Sequence, residues 1–187
     1  MIIDIFEQAR RLLAGRRFHS GIRWTGQFGF ACPQLGIHDF AWGKNRVVDT
    51  GIDAILNGYF RSENLPGLGG FFIAPFAADV TPPAGLTMAN FNTTLTEFTN
   101  YDEATRPVWS LDGASTAKLL ANDASPALYT VAGGAQTSIY GAMLCTNNVK
   151  GGTNGTAIAA AKAPSAFLSL ADGFEVKIKY RLTGASS

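Results

Sequence analysis

Residues able to carry chemistry are few in this chain, and their spacing assembles no site. The histidines, His19 and His38, stand at no metal-ligand spacing from each other or from Cys32 and Cys145. HxxxH and CxxC, which would bring two donors to one ion, are absent from the sequence. His38 and Asp39 adjoin, but an acid–base pair needs a nucleophile, and no GxSxG frames a serine. A hydrogen-bonded loop histidine is the simpler reading. Gly67-Leu68-Gly69-Gly70 precedes an apolar run instead of a helix and no lysine follows, so it reads as a tight turn and not a phosphate loop. Gly43-Lys44 lacks the upstream glycine of a P-loop. Asp49, Asp53, Asp102, Glu103, Asp112 and Asp123 are scattered beside small and turn-forming residues, where capping explains them. A glycosidase would need two of them converging across a cleft. The residues therefore predict no enzyme, no cofactor and no metal site.

Composition points toward contact surfaces. At 187 residues the chain can bury a core without disulfides, and 47% of its residues are apolar. Only 16% are charged, against ~25% in a typical soluble protein, and the net charge is +1. Two readings fit this depletion: partners cover much of the surface, as in interface cores, or Ser, Thr, Asn and Gln do the solvating. A near-neutral chain gives no global electrostatic case for nucleic acid. No apolar run reaches the ~18 residues of a membrane helix. The segment MIIDIFEQARRLLAGRR does not read as a signal peptide, because acids interrupt its apolar stretch and its arginines follow it. Cys32 and Cys145 can pair, but two free thiols packed as small hydrophobes fit better.

The elements follow from periodicity. Residues 1–17 predict a short amphipathic helix, with an Asp4/Glu7 capping box, Ile5, Phe6, Ala9, Leu12 and Leu13 on one face, and Arg10, Arg11, Arg16 and Arg17 near its end. The arginines suit an acidic protein partner, a solvated face or, less well, nucleic acid. Residues 18–46 interleave Phe18, Trp24, Phe28, Phe30, Phe40 and Trp42 with glycines and hold no period for long. They read as an extended aromatic arm that reaches onto neighbours or folds back on its own core.

Residues 47–60 read as a short strand and a short helix. Asp49 or Thr50 caps that helix, Ile52, Ile55 and Leu56 form its apolar face, and Gly58 allows its end. Beyond residue 61 the pattern is β. Pro75 puts its strand at a sheet edge or bend. Residues 90–101 alternate weakly, 127–145 read as a hairpin, and 147–155 as a flexible loop. Phe174 to Leu182 alternate with Glu175, Lys177, Lys179 and Arg181, giving a half-buried strand after an Ala171-Asp172-Gly173 turn. The prediction is a mainly β protein: a β-sandwich or jelly-roll-like domain over 47–187, preceded over 1–46 by a short N-terminal helix and extended arm.

From Asn45 onward the order of segments resembles a family of tailed-phage virion proteins. NRVVDTGIDAILNGYF (45–60) leads into FFIAPFAADVTPPAGLTMANF (71–91). YDEATRPVWSL (101–111) is similar to the family's Y-x-E-x-x-R-x-x-W stretch. SPALYTV…TSIYGAMLCTNNVKGGTNGT (125–156) is similar to its P-x-x-F-x-V … I-Y-G-A-F-L segment and Gly-rich loop, and FEVKIKYRLTG (174–184) to its closing strand. The first 44 residues have no counterpart. The resemblance implies a virion structural protein, foremost a capsid decoration or cement protein. A neck, tail or fibre-anchoring adaptor is the alternative, and a carbohydrate-binding β module a more distant one. It implies as partners other copies of the chain, as in a trimer, and the major capsid or neck and tail proteins, with no membrane. The expected interface residues are Phe6, Arg10, Arg16, Arg17, Phe18, Trp24, Phe28, Phe30, Phe40 and Trp42.

Overall fold

Alternation in the last strand sets an outer face of one sheet, and a second sheet packs against its inner face. In the computed structural model, which describes residues 22–60, 70–113, 118–133 and 138–186, this strand is β9 (Glu175–Ser186). Val176, Ile178 and Tyr180 are fully buried, so Glu175, Lys177, Lys179 and Arg181 stand on the opposite face. β9 pairs antiparallel with β1 (Ile22–Cys32) on one side and with both β5 (Leu119–Ala121) and β6 (Ala127–Thr130) on the other. β2 (Ile37–Lys44) pairs with β1 and completes a five-stranded sheet. A 3-10 turn, Pro33–Leu35, joins β1 to β2 and closes on Gly36, whose φ of 75° suits glycine.

The second sheet runs β3 (Arg46–Val47), β8 (Ala157–Phe167), β7 (Ile139–Cys145), β4 (Phe72–Phe76). β4, β7 and the first half of β8 are buried on both faces. Ile73, Ala142, Leu144, Ala159 and Ala161 face the first sheet and join Phe28, Phe30, Tyr129, Val176, Ile178 and Tyr180 in the main core. Ala74, Phe76, Met143 and Ala160 face away and pack under Leu86, Met88, Phe91 and Leu95 in a second core. Burial on both faces is why AIAAAKA and IYGAMLC read as apolar runs without alternation. Pro75 lies on β4, the last strand of this sheet, as its missing N–H demands. The edge of β4 is covered by chain that follows it: Ile73 N donates to Pro107 O, and Phe98 N to Pro75 O.

The mainly β, sandwich-like architecture is the one the sequence predicts. Five local expectations are corrected. Residues 22–44 are not an arm but two strands of the first sheet, with β1 central in it, so no boundary falls at residue 46. Their glycines hid the strand pattern by receiving aromatic rings: a Cβ on Gly29 would meet the Trp42 ring at 3.0 Å. Residues 127–145 are not a hairpin, since β6 belongs to the first sheet and β7 to the second.

Residues 88–94 form α2 (Met88–Thr94), set by a capping box: Asn90 N donates to Thr87 Oγ1 and Thr87 N to Asn90 Oδ1. In α1 (Asp49–Phe60), Gly51 and Ala54 are buried while Ile52 and Leu56 are 46% and 47% exposed. The helix lies so close to β8 that a Cβ on Gly51 would collide with Ile158 O, which leaves the small residues inside and the large ones out. It runs past Gly58 to Phe60, and the Thr50 hydroxyl donates to Ala157 O at 2.8 Å instead of capping. Finally, the 147–155 loop is tied down. Buried Arg106 donates from Nη1 to Asn147 O and from Nη2 to Gly152 O, and Gly151 N donates to Glu97 Oε2. The predicted helix over 1–17 lies outside the described residues.

Candidate functional site

The outward face of the first sheet gathers part-exposed aromatic and cationic side chains, and register explains why. Gly29 of β1 is paired with Trp42 of β2 and with Lys179 of β9, so these three share one row and one face. Gln27 is likewise paired with Lys44 and Arg181. Glycine at position 29 lets the Trp42 indole lie close to the sheet. The result is a ladder of rings and cations: Lys179 Nζ sits 4.1 Å from the Phe40 ring centre, the Arg181 guanidinium 4.1 Å from that of Trp42, and the two rings 6.2 Å apart. Each cation–ring contact contributes about 0.5–1 kcal/mol at this degree of exposure.

A carboxylate fixes the cations from the far side. β5 leaves β9 at Arg181 and β6 rejoins it at Ile178, and the intervening loop carries Asn122 and Asp123. Buried Asn122 replaces the missing strand: its Oδ1 accepts from Tyr180 N at 2.7 Å, and its Nδ2 donates to Ser125 O. That anchor presents Asp123, which accepts from Arg181 Nε and Nη2 and lies 3.9 Å from Lys179 Nζ. Asp112 holds the same loop by accepting from Asp123 N and Ala124 N. The Arg181–Asp123 pair is part-exposed and adds little stability, about 0–1 kcal/mol. Its effect is to orient the guanidinium over Trp42. Beneath this face, burial pushes the Tyr180 phenol far above its usual range, against a hydrogen bond from Asn45 Nδ2 that pulls it down.

Leu128, 37% exposed and paired with Lys177, extends the face toward β6. The face thus combines Phe40, Trp42 and Leu128 with Lys44, Lys177, Lys179 and Arg181, against Asp123 and Glu175. Such a surface can dock a protein: Trp and Arg dominate interface energetics, and rings already held in place lose little freedom on binding.

Of the sequence-predicted interface residues, the structure brings Phe40 and Trp42 together here. Trp24 stands apart. Paired with Gly184, it lies on the core side of β1 beyond the core itself, 45% exposed. Phe28 and Phe30 are not interface residues: both are 0% exposed in the main core, because β1 turns them inward against Tyr180 and Phe167. Phe6, Arg10, Arg16, Arg17 and Phe18 lie outside the described residues. His38 and Asp39 occupy β2, where alternation sends them to opposite faces. Among the described residues, no group of three His, Cys, Asp or Glu side chains converges as metal ligands, and no helix is long and apolar enough to cross a membrane.

Sequence reasoning passed over Lys179, Arg181 and Asp123 as members of this face. The alternation of β9 showed the cations to be solvated, but only the pairing of β1 with both β2 and β9 places them over the rings. Searches of protein-family models, of curated proteins and of solved structures find nothing that matches this chain.

Proposed function

We propose that this chain is a structural subunit of a tailed-phage particle, foremost a decoration or cement protein on the capsid, that acts by packing and not by catalysis. The observation that carries the reading is the ring-and-cation face of the first sheet, held in place by cross-strand contacts and built on a doubly packed sandwich. A subunit that clamps a shell needs such a body: rigid, with broad modest contacts in place of a reactive pocket. The charge-poor composition and the order of segments from Asn45 onward support the same reading.

The partners in this reading are other copies of the chain and the major capsid protein. A neck, tail or fibre-anchoring adaptor would use the same physics at a different address. The carbohydrate-binding alternative is weakened, since Phe28 and Phe30 lie in the core, but Trp24, Phe40 and Trp42 keep exposed ring area. The test is co-sedimentation of the purified protein with particles that lack it. Wild type should bind, and a Trp42→Ala/Lys179→Glu variant of unchanged circular dichroism should bind at least about tenfold more weakly, the loss of one good interface anchor. Equal binding by the two proteins would remove the face from the mechanism.

A further inference from the structure

The solvent side of α1 is the chemical complement of the outer sheet face. Asp49, Ile52, Asp53 and Leu56 are all exposed and fall at helical spacings of three and four residues, so they form one stripe of alternating carboxylates and aliphatic side chains. Among the described residues neither Asp49 nor Asp53 forms an ion pair. Ile52 and Leu56, 46% and 47% exposed, are adjacent on that stripe. The sheet face carries the reverse balance: cations Lys44, Lys177, Lys179 and Arg181, partly offset by Asp123 and Glu175, leave a net positive surface among Phe40, Trp42 and Leu128.

The two surfaces lie on different parts of the fold. α1 packs on β8 of the second sheet through Gly51, whereas the cationic face is the outer side of the first sheet. One copy therefore does not satisfy itself. We propose that α1 of one copy docks on the outer sheet face of the next, carboxylates to cations and aliphatics to rings, so that copies join head to tail. A heterologous contact of this kind generates a ring when its rotation closes. The occupant of the face is thus a second copy of this chain. The inference rests on reading that face as a docking surface, but it does not require the particle.

The test uses two full-length variants altered only at exposed or part-exposed positions. One, Ile52→Ser/Leu56→Ser, removes the helix stripe and keeps the sheet face. The other, Lys44→Glu/Lys177→Glu, reverses the sheet face and keeps the stripe. Sedimentation velocity should show wild type as an oligomer that weakens as salt is raised, since its ion pairs are screened. Each variant alone should be monomeric, with association weakened at least about tenfold, one factor of ten for each ~1.4 kcal/mol lost. An equimolar mixture should give a one-to-one heterodimer, because each variant supplies the surface that the other lacks. Monomeric wild type, oligomeric single variants, or a mixture that stays monomeric would each overturn the proposal. Particle co-sedimentation of the same proteins separates the two readings: monomeric wild type that still binds particles defeats the head-to-tail contact and leaves the virion role standing.

Discussion

Phe28 and Trp42 differ in what truncation would remove. Phe28 fills the main core at 0% exposure against Tyr180. Phe28→Ala should therefore cost about 3–5 kcal/mol, measured as a lower midpoint in urea unfolding. Trp42 lies on the surface over Gly29, so Trp42→Ala should cost about 1 kcal/mol, its cation contact included, while impairing docking. A Trp42→Ala protein as unstable as Phe28→Ala would refute the surface role.

Arg106 is the other decisive side chain. It is 0% exposed, bound through Nε and Nη2 to the Glu97 carboxylate, and tied to the loop at Asn147 and Gly152. Burial alone would lower its pKa. The Glu97 hydrogen bonds and neighbouring charges outweigh burial, and the net shift is upward. Glu97→Gln should cost about 3–5 kcal/mol, because it leaves a buried cation without its counter-charge. Hydrogen exchange should show the amides of 147–152 losing protection; unchanged protection there would mean that the loop holds itself.

At the scale of elements, closeness of approach matters more than propensity. Alanine is the better helix former by about 1 kcal/mol, yet Gly51→Ala in α1 should destabilise the protein, since the new Cβ would meet Ile158 O at contact too short to keep. Thermal denaturation decides it, and a higher midpoint would show that α1 can shift off β8. The same closeness explains what the sequence did and did not disclose. β9 was legible because one of its faces is wet, so Val176, Ile178 and Tyr180 alternate with charge. The α1 segment was legible as a helix, but its buried face was not, because Gly51 and Ala54 carry no apolar signal large enough to compete with Ile52 and Leu56. β1 and β2 were read as an arm because rings stacked on glycines across strands break the alternation along each strand. The docking face itself was half legible: Phe40 and Trp42 by type, and their partners Lys179 and Arg181 only through pairing across β1.

For the whole molecule, two packed cores with buried hydroxyls make alkaline pH the natural stress. Burial pushes the phenols of Tyr101, Tyr129 and Tyr180 well above their ordinary range. A raised phenol pKa in the folded state means that the unfolded chain releases protons first. This contribution to stability is complete below the unfolded value of about 10 and is lost as pH rises above it. Phenolate absorbance should therefore appear for these three residues only as the circular dichroism of the fold collapses. Their titration within an intact fold would show that the core admits water. Cys32 and Cys145 are free and buried, and burial raises both thiols, so neither should react with a thiol reagent until the protein unfolds.

The central claim concerns where this body is used. A protein that clamps a shell as packed copies must be present in numbers that match the shell. Quantitative mass spectrometry of purified particles, with the major shell protein as the internal reference, tests this most directly. The account predicts a copy number comparable with that of the shell protein. A count far below it would move the subunit from capsid to neck or tail, and complete absence from the particles would contradict the structural role itself.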